Sequence, residues 1–279
     1  MSKINNFYKQ FNYNLKSHEQ HPFHLVDLSP WPLMTSMSLF ALVLSFVMHF
    51  HYFNSGVFYV IVSLSIFCFY LSRWFADIVE EATFEGFHTD KVQTGIRLGM
   101  CLFIISEVMF FFSFFWAFFH GSLAPSVDIG CVWPPQGITP LDPWGLPLLN
   151  TIILLSSGVA VTWSHRAALS GEWVGMTNGL LITVSYGGLF TAIQYYEYVV
   201  ASFSINDSIF GSLFFMLTGF HGIHVLVGTI FLLVCLFRHL YLQYTINQHV
   251  GFECAIWYWH FVDVVWLFLF VVVYIWGGA

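Results

Sequence analysis

The chain has 279 residues, 58% of them hydrophobic and 8% charged, with a formal net charge of −7. A soluble domain carries roughly 25% charged residues, so the composition excludes an ordinary water-soluble fold. The lack of any basic stripe excludes nucleic acid as a partner. Apolar runs of about 20 residues recur, the length a helix needs to cross the hydrocarbon core, and the ~10-residue alternation of a membrane barrel is absent. The expected fold is therefore all-α and polytopic, because a helix satisfies its own backbone in lipid.

Residues 1–31 read as a polar tail with Lys3, Lys9 and Lys16 and no apolar core before Pro32, so no cleaved signal is expected. The first two spans are expected at 32–53 and 57–75. An acidic connector follows over 76–95, with Asp77, Glu80, Glu81, Glu85 and Asp90 closed by Lys91 and Arg97. The third span is placed at 96–119. Over 121–146 lies a loop with Pro125, Pro134, Pro135, Pro140 and Pro143, which the prolines keep out of a helix and make a stiff surface cap. Four more spans are placed at 147–164, 174–200, 208–237 and 252–276, leaving 277–279 as a tail. No internal repeat or low-complexity segment is visible.

The basic residues give the orientation. All eight, Lys3, Lys9, Lys16, Arg73, Lys91, Arg97, Arg166 and Arg238, fall in the N-terminal tail or in the connectors after spans two, four and six. The positive-inside rule then places the N-terminus on the matrix or cytoplasmic side. An odd number of spans puts the C-terminus opposite.

Several polar residues inside the spans call for an explanation, since an ionisable group costs about 2.5–3.5 kcal/mol at the bilayer centre on insertion scales. Glu107 sits near the middle of span three among Phe103, Phe110, Phe111 and Phe114, so its own helix offers no charged partner. It is expected to be neutral or hydrogen-bonded across helices. It reads either as a proton-associated group or as glue between two helices. His221 and His224 lie one turn apart in span six. That spacing could supply two metal ligands, but a complete site needs donors from other helices. Helix packing is the simpler reading, with Gly219 and Gly222 allowing close approach. His260 and Asp263 share one face of span seven, so that helix is expected to meet protein along one stripe. Trp74 and Arg238, at span ends on the basic side, could meet lipid headgroups or simply snorkel. Cys68, Cys101, Cys131, Cys235 and Cys254 show no CxxC spacing and read as small hydrophobes rather than as metal or disulfide chemistry.

Longer strings carry a resemblance. Ser29–Pro32 (SPWP), Ile105–Phe111 (ISEVMFF), Phe114–His120 (FFWAFFH), Gly219–Val225 (GFHGIHV) and Trp257–Trp266 (WYWHFVDVVW) resemble cytochrome c oxidase subunit III, in the same order from about His24 to the C-terminus. The resemblance implies seven helices without redox metals, with helices one and two splayed from helices three to seven by a V-shaped, lipid-filled cleft. It implies that Glu107 is the family's intramembrane glutamate. Trp74, Glu81, His88, Phe103, Trp116 and Arg238 would line or cap the lipid cleft, and His221 and His224 would bind no metal. The chain departs from the family at Ala76 and Glu80, where a basic residue is common, and at Tyr241, Gln243 and Gln248, which replace basic or His residues.

Three functions are thereby in view. The first is a non-redox core subunit of cytochrome c oxidase, supporting subunit I and holding structural phospholipids. Its partners would be subunits I and II and accessory subunits, with haem a and copper in those partners. Such a chain is expected in the mitochondrial inner membrane if made inside the organelle. The second is a proton- or ion-coupled transporter using Glu107, for which inverted repeats would be expected and none is seen. The third is a haem-binding anchor using His221 or His224.

Overall fold

The computed structural model describes residues 21–278, so Lys3, Lys9 and Lys16 lie outside the described residues. Among the described residues seven helices are long and apolar enough to cross a membrane. They are α1 (Trp31–Phe50), α2 (Gly56–Thr83), α3 (Asp90–Leu123), α4 (Leu146–Ser170), α5 (Trp173–Val200), α6 (Ser208–Leu240) and α7 (Val250–Leu269), the last continuing as a π-helical segment over Phe270–Trp276. No strand occurs among the described residues. The all-α, polytopic expectation therefore holds.

Helix ends overrun the hydrophobic windows. The expected acidic connector over 76–95 is mostly helical, because α2 runs to Thr83 and α3 starts at Asp90. Hydropathy marks where a helix leaves the apolar layer, not where its hydrogen bonds stop; Ala76, Glu80, Glu81 and Ala82 are good helix formers. The true connector is 84–89, turned at Gly86 with φ +71°. The Pro-rich loop also differs from expectation. It contains a short 3₁₀ turn at Val127–Ile129, and its Trp133 packs against Phe118 and Phe210 with ring centroids 5.4 Å from each. The loop is thus anchored in the protein as well as capping it.

The described residues divide into two compact units, one up to Gly95 and the other from Ile96 onward. In the first, α1 turns Thr35, Ser38, Leu42 and Ser45 inward as a narrow buried stripe. Ser63 of α2 meets it, donating to Ser45 Oγ at 3.2 Å. Small side chains at such an interface let helix backbones approach, which is what drives packing in lipid. Near the other end of this pair, Trp31 Nε1 donates to Asp77 and the Arg73 guanidinium lies 5.7 Å from the Trp31 ring.

In the second unit α7 is the central element. It was expected to meet protein along one stripe, yet Phe252, Ala255, Trp259, Val262, Trp266 and Leu269 are all buried, as are residues between them on other faces. The correction has a physical cause: in a membrane protein apolar residues serve equally in the core and against lipid, so hydropathy alone cannot tell them apart. Polar threads fasten the centre. Trp259 Nε1 donates to Ser157 Oγ at 2.8 Å and Trp266 Nε1 to Thr151 Oγ1 at 2.9 Å, both from α7 to α4. Outward faces stay apolar, as with Leu98, Leu102, Ile105, Met109 and Phe112 along α3.

Candidate functional site

Glu107 and His224 meet. α3 and α6 bring Glu107 Oε2 to 2.9 Å from His224 Nε2. The other ring nitrogen, Nδ1, lies 2.7 Å from the Phe220 carbonyl one turn back on the same helix. Both nitrogens of His224 are therefore engaged. The pair is walled by rings: Phe111 lies 5.0 Å and Tyr258 6.3 Å from the imidazole by centroid. A hydrogen bond in such surroundings is electrostatically strong, because little water screens it.

His221, one turn away, does not join this pair. It is buried, with Nε2 3.2 Å from the Val262 carbonyl, and its ring packs between Trp266 at 5.1 Å and Phe190 at 5.6 Å. Spacing along α6 had placed the two rings on one side of the helix. Their partners differ, however: α3 holds one and α7 the other. His260 and Asp263 do come together, with His260 Nδ1 3.5 Å from Asp263 Oδ2. The carboxylate reaches the α4 backbone so closely that a Cβ placed on Gly158 would sit 2.6 Å from it.

Trp74, Glu81 and His88 belong to the first unit, and Phe103, Trp116 and Arg238 to the second. Phe103 and Trp116 share α3 but lie about 20 Å apart along its axis at 1.5 Å per residue. Phe103 stacks on Tyr258 at 6.2 Å, and the largely exposed Trp116 meets Phe112 at 6.2 Å. Arg238 donates from Nε to Gln243 Oε1 at 3.2 Å and lies 4.6 Å from the Tyr244 ring. Burial pushes the Tyr244 hydroxyl well above the usual phenol range. Gln243 is thus a direct partner of Arg238.

Three features were not legible in the motifs. Glu253 takes a two-pronged bond from Arg97, Nε at 2.8 Å and Nη2 at 3.3 Å, tying α7 to α3. With His165 and His249 it forms a group whose donor atoms lie within 4.8 Å of one another, and His24, Glu81 and His88 form a second such group. Nitrogen and carboxylate donors of this kind suit zinc or similar ions, although in the first group Arg97 already neutralises the carboxylate. The His249–Glu253 spacing of four was the available signal for that group. The third feature is Glu197, fully buried at the end of α5, which accepts a hydrogen bond from Tyr274 at 2.6 Å.

Comparisons with known proteins agree with this architecture. The family described as cytochrome c oxidase subunit III matches residues 21–278. A protein named cytochrome c oxidase subunit 3 from Prototheca wickerhamii is 54% identical over 93% of this chain and 99% of its own length. The protein of that name from Chondrus crispus is 54% identical over 95% of this chain and 97% of its own. The one from Drosophila melanogaster is 53% identical over 95% of this chain and all of its own. The chain belongs to the cytochrome c oxidase subunit III family.

Proposed function

We propose that the chain is a structural subunit of cytochrome c oxidase that carries no redox centre of its own, braces subunit I and holds phospholipid. The observation that carries this reading is the Glu107–His224 pair at 2.9 Å. The transporter reading needs a carboxyl free to exchange its ion or proton, and here the carboxyl is bound to a histidine of another helix. The haem reading needs a ring nitrogen with a free lone pair. His224 has both nitrogens occupied; His221 keeps Nδ1 without a partner, but its ring is buried against Trp266 and Phe190 with no room beside it for a macrocycle. The two reactive-looking groups hold each other and fasten α3 to α6.

Haem a and copper would then reside in subunits I and II, where dioxygen is reduced and the pumped protons move. Trp74, Glu81 and His88 in one unit, and Phe103, Trp116 and Arg238 in the other, would contact phospholipid, with tryptophan at the interface and charge toward headgroups. The inner mitochondrial membrane, with the N-terminus in the matrix and the C-terminus in the intermembrane space, fits the relatives and the basic residues. Arg73, Lys91, Arg97, Arg166 and Arg238 all lie in the half of their helix that alternates to the N-terminal side.

The test is Glu107→Gln in the assembled oxidase. Glutamine keeps the side chain's shape and offers His224 Nε2 both a donor and an acceptor. The variant is expected to assemble and to pump most of the protons pumped by the unaltered enzyme, measured as acidification per electron in vesicles. Loss of pumping from an intact complex would put Glu107 on a proton path and end the purely structural reading.

A further inference from the structure

At the end of the bundle where α4 finishes and α7 begins, two imidazoles and a carboxylate converge, apart from the Glu107–His224 pair. His249 is the N-cap residue of α7 and Glu253 lies in its first turn, while His165 lies in the closing turns of α4. One donor atom from each of the three falls within 4.8 Å of the other two, and His249 Nε2 lies 3.3 Å from Glu253 Oε1. The two histidine rings stand edge to face with centroids 5.8 Å apart. Nε2 of each histidine is buried and has no hydrogen-bond partner. His165 and Glu253 are partly exposed, so the cluster can be reached from that end of the helices.

The hydrogen bonds around the cluster decide which atoms can donate electrons. His249 Nδ1 lies 3.2 Å from the Thr245 carbonyl. A carbonyl only accepts, so Nδ1 carries the hydrogen and Nε2 of the neutral ring keeps its lone pair. That lone pair faces a carboxylate oxygen, and such atoms repel unless a positive species lies between them. A proton on His249 would pair it with Glu253 but leave His165 Nε2 unpartnered; a metal ion engages all three residues. Arg97 does not close the site. It takes Glu253 Oε2 through Nε at 2.8 Å and reaches Oε1 only through Nη2 at 3.3 Å. Its charge weakens the hold on a cation, yet it orients the carboxylate, as the Thr245 carbonyl orients His249, in the manner of outer hydrogen bonds around metal ligands. Bonds of about 2.0–2.1 Å in a tetrahedral zinc site set neighbouring donors about 3.3 Å apart. His249 and Glu253 already have that spacing, and the His165 donor has to close by at most about 1.5 Å, within reach of side-chain rotation.

We propose that His165, His249 and Glu253 form a binding site for one divalent ion of the zinc class, which clamps the end of α4 to the start of α7 and leaves one coordination position open. Imidazole nitrogen with carboxylate oxygen and no thiolate favours zinc over copper(I), which prefers sulfur, and over magnesium or calcium, which take oxygen. Through Arg97 the clamp extends to α3.

Zinc-edge anomalous diffraction from the assembled oxidase, soaked with zinc at a few equivalents per complex, tests it directly. The expected result is a peak within about 2.0–2.2 Å of one atom of each of the three residues. No peak there overturns the proposal, as do peaks only elsewhere, for instance at His24, Glu81 and His88. A peak that needs a large excess of zinc, marking binding at crystal concentration only, overturns it too. Radioactive zinc kept by the unaltered oxidase through gel filtration should exceed that kept by His165→Gln or His249→Gln by one equivalent. Equal retention in all three forms would sink the assignment. If either variant fails to assemble, the anomalous map of the unaltered enzyme decides alone.

Discussion

Two residues had readable chemistry in the sequence but hidden partners. Glu107 stood out as a carboxyl among phenylalanines, and His224 as one of two closely spaced histidines. Their union could not be read, because the two positions are separated by 117 residues and nothing in local periodicity links them. The pairing makes a measurable claim. Glu107→Ala leaves His224 Nε2 without its partner in an apolar wall, at a cost of about 1–3 kcal/mol. His224→Ala strands the carboxyl in the same way, so the double variant should cost much less than the sum of the two. Coupling of about 0.5–3 kcal/mol is expected for groups in contact, read from thermal dissociation of the chain from the oxidase. Additive effects would mean the pair contributes nothing as a pair. Arg238 carries a different expectation. Its guanidinium lies over Tyr244, so Arg238→Ala removes packing as well as charge, whereas Arg238→Lys keeps the charge. If headgroup binding is its role, phospholipid co-purifying with the oxidase falls in the alanine variant and is largely kept in the lysine variant. Equal lipid content in all three forms would leave Arg238 as a packing residue.

At the scale of the element, small residues decide how close the helices come. α4 and α5 are joined by the tight turn at Gly171, φ +72°, and pack along Ser157, Ala160, Ser164 and Ala167 against Gly175 and Gly179. A Cβ on Gly179 would lie 2.6 Å from Ser164 Cβ and 2.9 Å from the Ala160 carbonyl oxygen. Backbone atoms cannot step aside as a side-chain tip can, so Gly179→Ala must push two helices apart. Overpacking of this sort costs typically about 1–3 kcal/mol. The variant is expected to lower the temperature at which the subunit dissociates, while Gly188→Ala, with open space around its Cβ position, leaves it unchanged. Equal behaviour of the two would refute the close approach. Sequence showed that the spans exist, through the length of their apolar runs. It did not show that α2 continues to Thr83 or that α7 is buried on more than one face. It also passed over Glu197, because a carboxyl close to a span end reads as interfacial, and only the π segment carrying Tyr274 reveals it as buried.

For the whole molecule the central claim is orientation. Charge bias works because moving Lys and Arg across the membrane is unfavourable, so they collect on the side where the chain is inserted. The cysteines offer a clean reporter of the result. Cys235 and Cys254 are buried, and the exposed Cys68 and Cys101 lie within α2 and α3, facing an apolar layer that a charged reagent does not enter. Cys131 is exposed in the loop between α3 and α4. A membrane-impermeant, charged thiol reagent should therefore modify Cys131 alone among the five. With the N-terminus in the matrix, that loop faces the intermembrane space. Labelling is expected in mitochondria stripped of their outer membrane but with the inner membrane sealed, and not in inverted inner-membrane vesicles. Cys131→Ser should abolish the signal in the stripped preparation, which ties the label to this one residue. Labelling in the inverted vesicles alone would reverse the orientation. It would place Arg73, Lys91, Arg97, Arg166 and Arg238 in the intermembrane space, contrary to the charge rule that assigned them to the matrix.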